Sequence, residues 1–584
     1  MPIHKKQNFL YGSIILITST LIVKFIGCFF KIPLQNLIGS VGMGYFSTSY
    51  ALFNLVYALS VAGLPMAVAR MVAKASASHN YKNIKKILKI STIGFLITGF
   101  LGSFFMLFFS KMYVTHFTNN PDAYWCTVLM APSILFCCIS SAYRGYYEGL
   151  QNMYPTAIAQ VIEAIVKLVV GYTVAWYIIK IGWSQYYESG RIFGEFVNAD
   201  EAENTILKFA AAGAIFGVTV STFFGALYIW LIYLIKGDGI TELELEYAPK
   251  ADNGKNIFKQ LLQISVPICL AAAVMNVAAF IDTKTMVKRL GIALNVNPQA
   301  LISQYVGLIP STMKVGKIPN FLYGAYSGMA INIYNLIPAF TAAFAISILP
   351  VVTAAITKKD NVALKYNMEC VLRVTNLLCA PPSIALIVLA KPILMALYGS
   401  RATEVAIAVL PLKMLGVAAI FVSLAMPINS MLQAVGKVNV PAKLMVIGVI
   451  CKFILNQYLI AIPSVNINGA PIGTFICYFI VVVGGLYVLL KTTNISLNVN
   501  SVFVKPFISA IICVASAYVA LAFFNRIPAI AQIKHGLVTL LIAIIIAVIT
   551  YIVALVLLKA IEKKDVLMLP GGKNIIKYLQ NVNF

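Results

Sequence analysis

Residues 9–31 read Phe9-Leu-Tyr-Gly-Ser-Ile-Ile-Leu-Ile-Thr-Ser-Thr20-Leu-Ile-Val-Lys24-Phe-Ile-Gly27-Cys-Phe-Phe-Lys31. The run holds no acidic residue, and Lys24 is its one internal charge. It is long enough to cross a hydrocarbon layer as a helix, which needs about 20 apolar residues. Similar runs recur along all 584 residues, near 9–30, 44–69, 90–110, 124–143, 157–179, 206–235, 260–283, 324–355, 374–397, 405–430, 444–462, 469–490, 506–524 and 537–558. Because each run is continuous rather than alternating, helices are expected and a β-barrel is excluded. The expected fold is an all-α polytopic membrane protein of about fourteen spans.

Composition agrees. Hydrophobic residues make up 60% and charged residues 11%, and mean hydropathy is +0.88. A soluble domain carries about 25% charged residues, so this chain cannot cover a globule with polar surface. Soluble enzymes, nucleic-acid-binding proteins and disordered chains are excluded. The first run is too long for a cleavable signal and leads straight into a second span.

The net charge is +25. With the N-terminus placed inside, 26 of the 44 Lys and Arg residues lie in inside segments, about twice the number outside. That bias orients the chain with both termini cytoplasmic. The densest inside block is residues 70–89, with Arg70, Lys74, Lys82, Lys85, Lys86 and Lys89. The ten cysteines include no CxxC pair and mostly sit in apolar runs, where they read as small hydrophobes. No metal, nucleotide or hydrolase motif is present, so no cofactor and no metal site is expected.

An internal repeat is visible. Leu64-Pro65 is echoed by Leu349-Pro350, and Gly149 to Pro155 by Gly436 to Pro441. Lys167 is echoed by Lys452, and Gly213-Ala-Ile-Phe-Gly217 by Gly469-Ala-Pro-Ile-Gly473. The expected organisation is two six-span halves, 1–236 and 257–490, two further helices in 506–558 and a cytoplasmic tail at 559–584. A repeat of six spans keeps the halves parallel, an arrangement suited to alternating access. Pro132, Pro267, Pro338, Pro381, Pro382 and Pro427 lie within spans, where they are either kink sites or ordinary membrane-helix prolines.

Charges inside spans mark candidate sites, since each costs about 2.5–3.5 kcal/mol on insertion scales. Thr20, Lys24, Gly27 and Lys31 share one helical face. Gln160, Glu163 and Lys167 form a second stripe, in which Glu163 and Lys167 are spaced to pair. Such a pair either neutralises itself or leaves Lys167 to a ligand. Asp282 lies late in span seven, and Lys452 takes the repeat-related position of Lys167. Lys31, Arg70 and Arg144, near span ends, also read as residues that snorkel to the interface. Lys24, Lys167 and Lys452 outnumber Glu163 and Asp282, and a basic surplus suits a phosphate-bearing substrate.

Several stretches together resemble a known family. They are Lys24 to Leu34, Gly39 to Tyr45, Ala62 to Arg70, and above all Tyr143-Arg-Gly-Tyr-Tyr-Glu-Gly-Leu-Gln-Asn-Met-Tyr-Pro155 followed by Gln160 and Glu163. The chain resembles the SpoVB-like polysaccharide transport proteins, which neighbour the MurJ lipid II flippases in the multidrug/oligosaccharidyl-lipid/polysaccharide exporter superfamily. The resemblance implies a MATE-like arrangement and a bacterial plasma-membrane flippase. Its substrate would be an undecaprenyl-pyrophosphate-linked sugar, moved from the inner to the outer leaflet by a single chain working alongside cell-wall synthases. It further implies that Lys24 and Lys31 hold the pyrophosphate, with Lys31 at a position often filled by Arg. The helices of 506–558 would line a groove for the lipid tail.

Two other readings stand beside this one. A cation-coupled multidrug exporter of the same fold predicts twelve spans and acid-rich cavities. A membrane-embedded glycosyltransferase predicts a catalytic carboxylate cluster, whereas the acidic stretches at 195–203 and 242–246 lack metal-ligand spacing.

Overall fold

The computed structural model describes residues 9–339, 341, 360–526 and 536–561. It is helical throughout, apart from one antiparallel pair of two-residue strands, β1 (Arg191–Ile192) and β2 (Glu195–Phe196), among the described residues. Twelve helices in these residues are long and apolar enough to cross a membrane. The protein is multi-pass.

The expected first and second spans are continuous in α1 (Phe9–Ser60), a 52-residue helix. At 1.5 Å per residue it is about 78 Å long, far beyond a hydrocarbon core of about 30 Å. It folds back at Gly39, whose φ of 59° and ψ of −175° only glycine adopts comfortably. One helix by hydrogen bonding is therefore two legs. The expected eighth span, 324–355, runs into residues outside those described, as do Leu349-Pro350 and most of the tail at 559–584.

The described chain forms two compact units. The first comprises residues up to Gly291 together with Pro310–Gly324. It contains α1, α2 (Leu64–Ala77), α3 (Tyr81–Met112), α4 (Tyr124–Met130), α5 (Pro132–Gly149), α6 (Tyr154–Ser189), α7 (Ala199–Lys236), α8 (Glu242–Tyr247), most of α9 (Gly254–Val296) and nearly all of α10 (Ile318–Ala325). Asn80 caps α3 by accepting from the Asn83 amide, and a Thr241–Glu244 capping box starts α8. Pro132 separates α4 from α5.

Helices α6 and α7 are joined at backbone distance. A Cβ placed on Gly217 would lie 2.2 Å from the Gly171 Cα, the close approach that small residues permit in membrane helices. The polar stretch at 180–205, expected as a loop, is mostly helical extension: α6 runs on to Ser189, Gly190 closes it with φ of 64°, and the strand pair turns the chain into α7. Outside hydrocarbon, polar residues lose nothing by being helical.

Segments expected on the same membrane side meet at the same end of this unit. At one end Lys85 pairs with Asp238 at 2.5 Å, and Tyr146 donates to the same carboxylate. Lys82 donates to the Ala248 carbonyl at 3.0 Å, and Asn83 to Asp252 at 2.9 Å. At the other end Asp122 pairs with Lys317 and accepts from Tyr45 at 3.3 Å. Lys314 pairs there with Glu201. Asn120 donates to Asn320 at 2.8 Å, and Asn320 to the Val41 carbonyl at 2.9 Å.

The second unit comprises Ile292–Ile309 and the chain from Ala325. Its main helices are α11 (Asn361–Val388), α12 (Ala390–Tyr398), α13 (Ala402–Ala434), α14 (Asn439–Leu459), α15 (Gly469–Thr493), α16 (Lys505–Phe524) and α17 (Leu537–Leu557). The pair α16–α17 shares an apolar seam of Cys513, Ala517 and Leu521 with Leu540, Ala543 and Ala547. Tyr551 ties it to α11 through the Leu377 carbonyl at 2.7 Å. All ten cysteines are free thiols, and none is fully exposed.

Candidate functional site

The polar stripes read from the sequence meet along α1 and α6, which run parallel and in register. Ser19 donates to Gln160 at 3.4 Å. Further along, the Phe30 ring would meet a Cβ on Gly171 at 2.9 Å. Both contacts join positions 141 apart. A constant offset places Lys24 at the height of Ile165, between Glu163 and Lys167. Lys24 and Thr20 are exposed, and a Cβ on Gly27 would meet nothing within 4 Å. That face of α1 therefore borders open space.

Glu163 is not bonded as its spacing suggests. Its ion-pair partner is Arg144 on α5, nineteen positions earlier, rather than Lys167 one turn along its own helix. Arg144 contacts the carboxylate through Nη2, while Nε is buried with no hydrogen-bond partner among the described residues. Tyr57, Cys137 and Glu148 lie within electrostatic reach of the guanidinium. Room for Glu163 comes from Gly225 on α7, where a Cβ would fall 2.2 Å from Oε1. Lys167 points at the Phe30 ring, 5.7 Å from its centroid, a cation–π distance. It remains within electrostatic reach of both Glu163 and Lys31.

Lys31, Arg144 and Lys167 thus lie around Glu163, with Glu148 near Arg144, and Lys24 stands two turns before Lys31 on α1. The surplus is positive, and its donors suit an anion. Asp282 lies elsewhere in the unit, almost fully buried on α9. On the same helix Tyr113 stacks on Phe280 and Thr283 bonds Tyr323 at 2.8 Å. Arg70 is exposed on α2. Lys452, in the second unit, is 3% exposed and packs on α14 against the glycine backbone at Gly473. Sequence reasoning held Arg144 as a second-tier candidate that could equally snorkel to the interface, and missed its pairing. The signal that could have found it was the need of Glu163 for a cation from another helix. No group of three or more His, Cys, Asp or Glu that could hold a metal occurs among the described residues.

Residues 9–189 match the family described as polysaccharide biosynthesis protein, and residues 300–458 match the MatE family. Among solved structures, MurJ in an inward closed conformation matches with a TM-score of 0.58 at 16% identity, over 93% of this chain and 98% of that one. An inward-facing multidrug resistance MATE family transporter of the MOP superfamily matches with a TM-score of 0.57 at 14% identity, over 83% and 99%. These likenesses show the fold: an all-α polytopic membrane architecture shared with MurJ and with the MATE transporter.

Two curated proteins are similar over most of the chain. Stage V sporulation protein B of Bacillus subtilis is 24% identical over 511 residues, 87% of this chain and 88% of the relative. The lipid II flippase MurJ of the same organism is 23% identical over 504 residues, 84% of each.

Proposed function

We propose that the chain is a flippase carrying an undecaprenyl-pyrophosphate-linked sugar, lipid II or a related polysaccharide unit, from the inner to the outer leaflet by alternating access. It would do so in a bacterial plasma membrane, with both termini cytoplasmic, as a single chain supplying cell-wall synthases. The observation that carries this reading is the basic surplus of Lys31, Arg144 and Lys167 around Glu163, with Lys24 on the same helix as Lys31, since an uncompensated charge in a spanning helix is costly. A pyrophosphate headgroup neutralises such a surplus, and a lipophilic cation would be repelled by it. The relatives named as a lipid II flippase and a sporulation protein support the same direction.

In this reading Lys24 and Lys31 hold the headgroup, and Lys167 with Arg144 and Glu163 forms the second wall. Asp282 and Lys452 keep their assignment as candidate substrate-pathway residues. Depletion of the protein tests the proposal. One undecaprenyl-pyrophosphate-linked precursor should accumulate on the cytoplasmic side. Unchanged precursor pools, with heightened sensitivity to cationic drugs, would instead point to cation-coupled export.

A further inference from the structure

The contact between Arg144 and Glu163 is incomplete in an informative way. A guanidinium offers Nε and Nη as a planar fork that matches carboxylate or phosphate oxygens two at a time. Here only Nη2 meets Glu163, and the buried Nε is left over. Glu163 lies against the bare backbone at Gly225 and occupies one arm of the fork only. A phosphate group, with three acceptor oxygens, can fill both arms of the fork.

Glu163 also has somewhere else to go. Lys167 is one turn along the same helix face, where it rests over the Phe30 ring and, among the described residues, forms no ion pair. A Glu and a Lys four apart on a helix reach each other by rotamer change alone.

We propose that Glu163 is a resident stand-in for the substrate phosphate on Arg144, and that arrival of the phosphate moves the Glu163 carboxylate from Arg144 to Lys167. Arg144 is then a substrate-binding residue, and Glu163 a positioning residue. The exchange is balanced in charge: before it Arg144 is neutralised by Glu163, and after it Arg144 is neutralised by phosphate and Glu163 by Lys167. No carboxylate or guanidinium is stranded in the membrane at either stage. The pairing expected from sequence spacing and the pairing seen in the structure become two states of one switch. This inference rests on the reading of the site as a phosphate site.

The test uses the full-length purified chain in nanodiscs and inorganic pyrophosphate as the probe, with affinity measured by calorimetry. Glu163→Gln keeps the shape and removes the competing charge, so pyrophosphate should bind about tenfold more tightly, a typical coupling between linked events. Lys167→Met removes the second berth for Glu163, so binding should weaken while the melting temperature holds. Arg144→Lys, which lacks the fork, should weaken binding even in the Glu163→Gln background. Equal or weaker binding by a folded Glu163→Gln protein would overturn the proposal, as would unchanged binding by Lys167→Met. The second result decides the matter if Glu163→Gln does not fold. Failure of the underlying reading looks different: the wild-type chain would not bind pyrophosphate at all, and Lys24→Ala would change nothing.

Discussion

The side-chain amide of Asn120 donates to the side-chain oxygen of Asn320 at 2.8 Å, bridging two hundred positions of chain inside a buried network. Asn320 in turn holds the Val41 carbonyl, two residues past the fold-back of α1 at Gly39. The segment Pro310–Gly324 thereby clasps the bend. Asn120→Leu should strip one partner from Asn320 and leave a buried acceptor unpaired, a loss of about 1–3 kcal/mol. Thermal unfolding of the purified protein should show a lower midpoint, and an unchanged midpoint would remove the network from the clasp.

Gly39 itself gives a second prediction. Its φ of 59° with ψ of −175° is a region nearly closed to side chains. Gly39→Ala should cost about 1–3 kcal/mol. Folded yield should fall, whereas Gly27→Ala, on the open face of the same helix, should be tolerated.

Gly225 and Glu163 should behave as a coupled pair. A methyl at 225 would sit within 2.3 Å of the Glu163 Cγ, so Gly225→Ala should destabilise by about 1–3 kcal/mol through overpacking. Combined with Glu163→Ala, which empties the space, much of that added cost should vanish. A double-mutant cycle on melting temperature measures the coupling, and strict additivity would contradict the observed contact.

Lys24→Ala should abolish headgroup translocation in reconstituted vesicles while leaving folding intact, because the residue is exposed and borders open space. Lys24→Arg should retain activity, as charge rather than shape is required. Full activity of Lys24→Ala would take the residue out of the site.

Topology follows from the two ends of the first unit. A cysteine at Ser78 should be labelled by an impermeant maleimide only from the cytoplasmic side, and one at Asn198 only from outside. Native thiols are buried or half-buried and should give little background. Labelling of both from one side would break the orientation.

Much of this was legible because membrane solvent makes sequence patterns loud. Continuous apolar runs gave the spans, and three–four spacing gave both polar stripes, whose alignment of Ser19 with Gln160 the structure supplies. What stayed hidden was tertiary. Local spacing offers Glu163 only Lys167, while its actual partner Arg144 arrives on a different helix. Nothing near Asp122 in sequence announces Lys317, which comes 195 positions later. The course of α1 through residues 31–43, helical except for the kink at Gly39, was also unreadable. The Gln35 side-chain amide there donates to Ser40 at 3.2 Å.

The shared register of α1 and α6 makes height in the membrane an address. Removing a single residue between Ser19 and Phe30 would lower every later group by about 1.5 Å and turn it by about 100°. Lys24 would then leave its level beside Glu163 and Lys167, even though every residue type in the site survived. Insertions and deletions in these two helices should therefore be far rarer among related sequences than substitutions, and those that do occur should come in matched pairs, one in each helix.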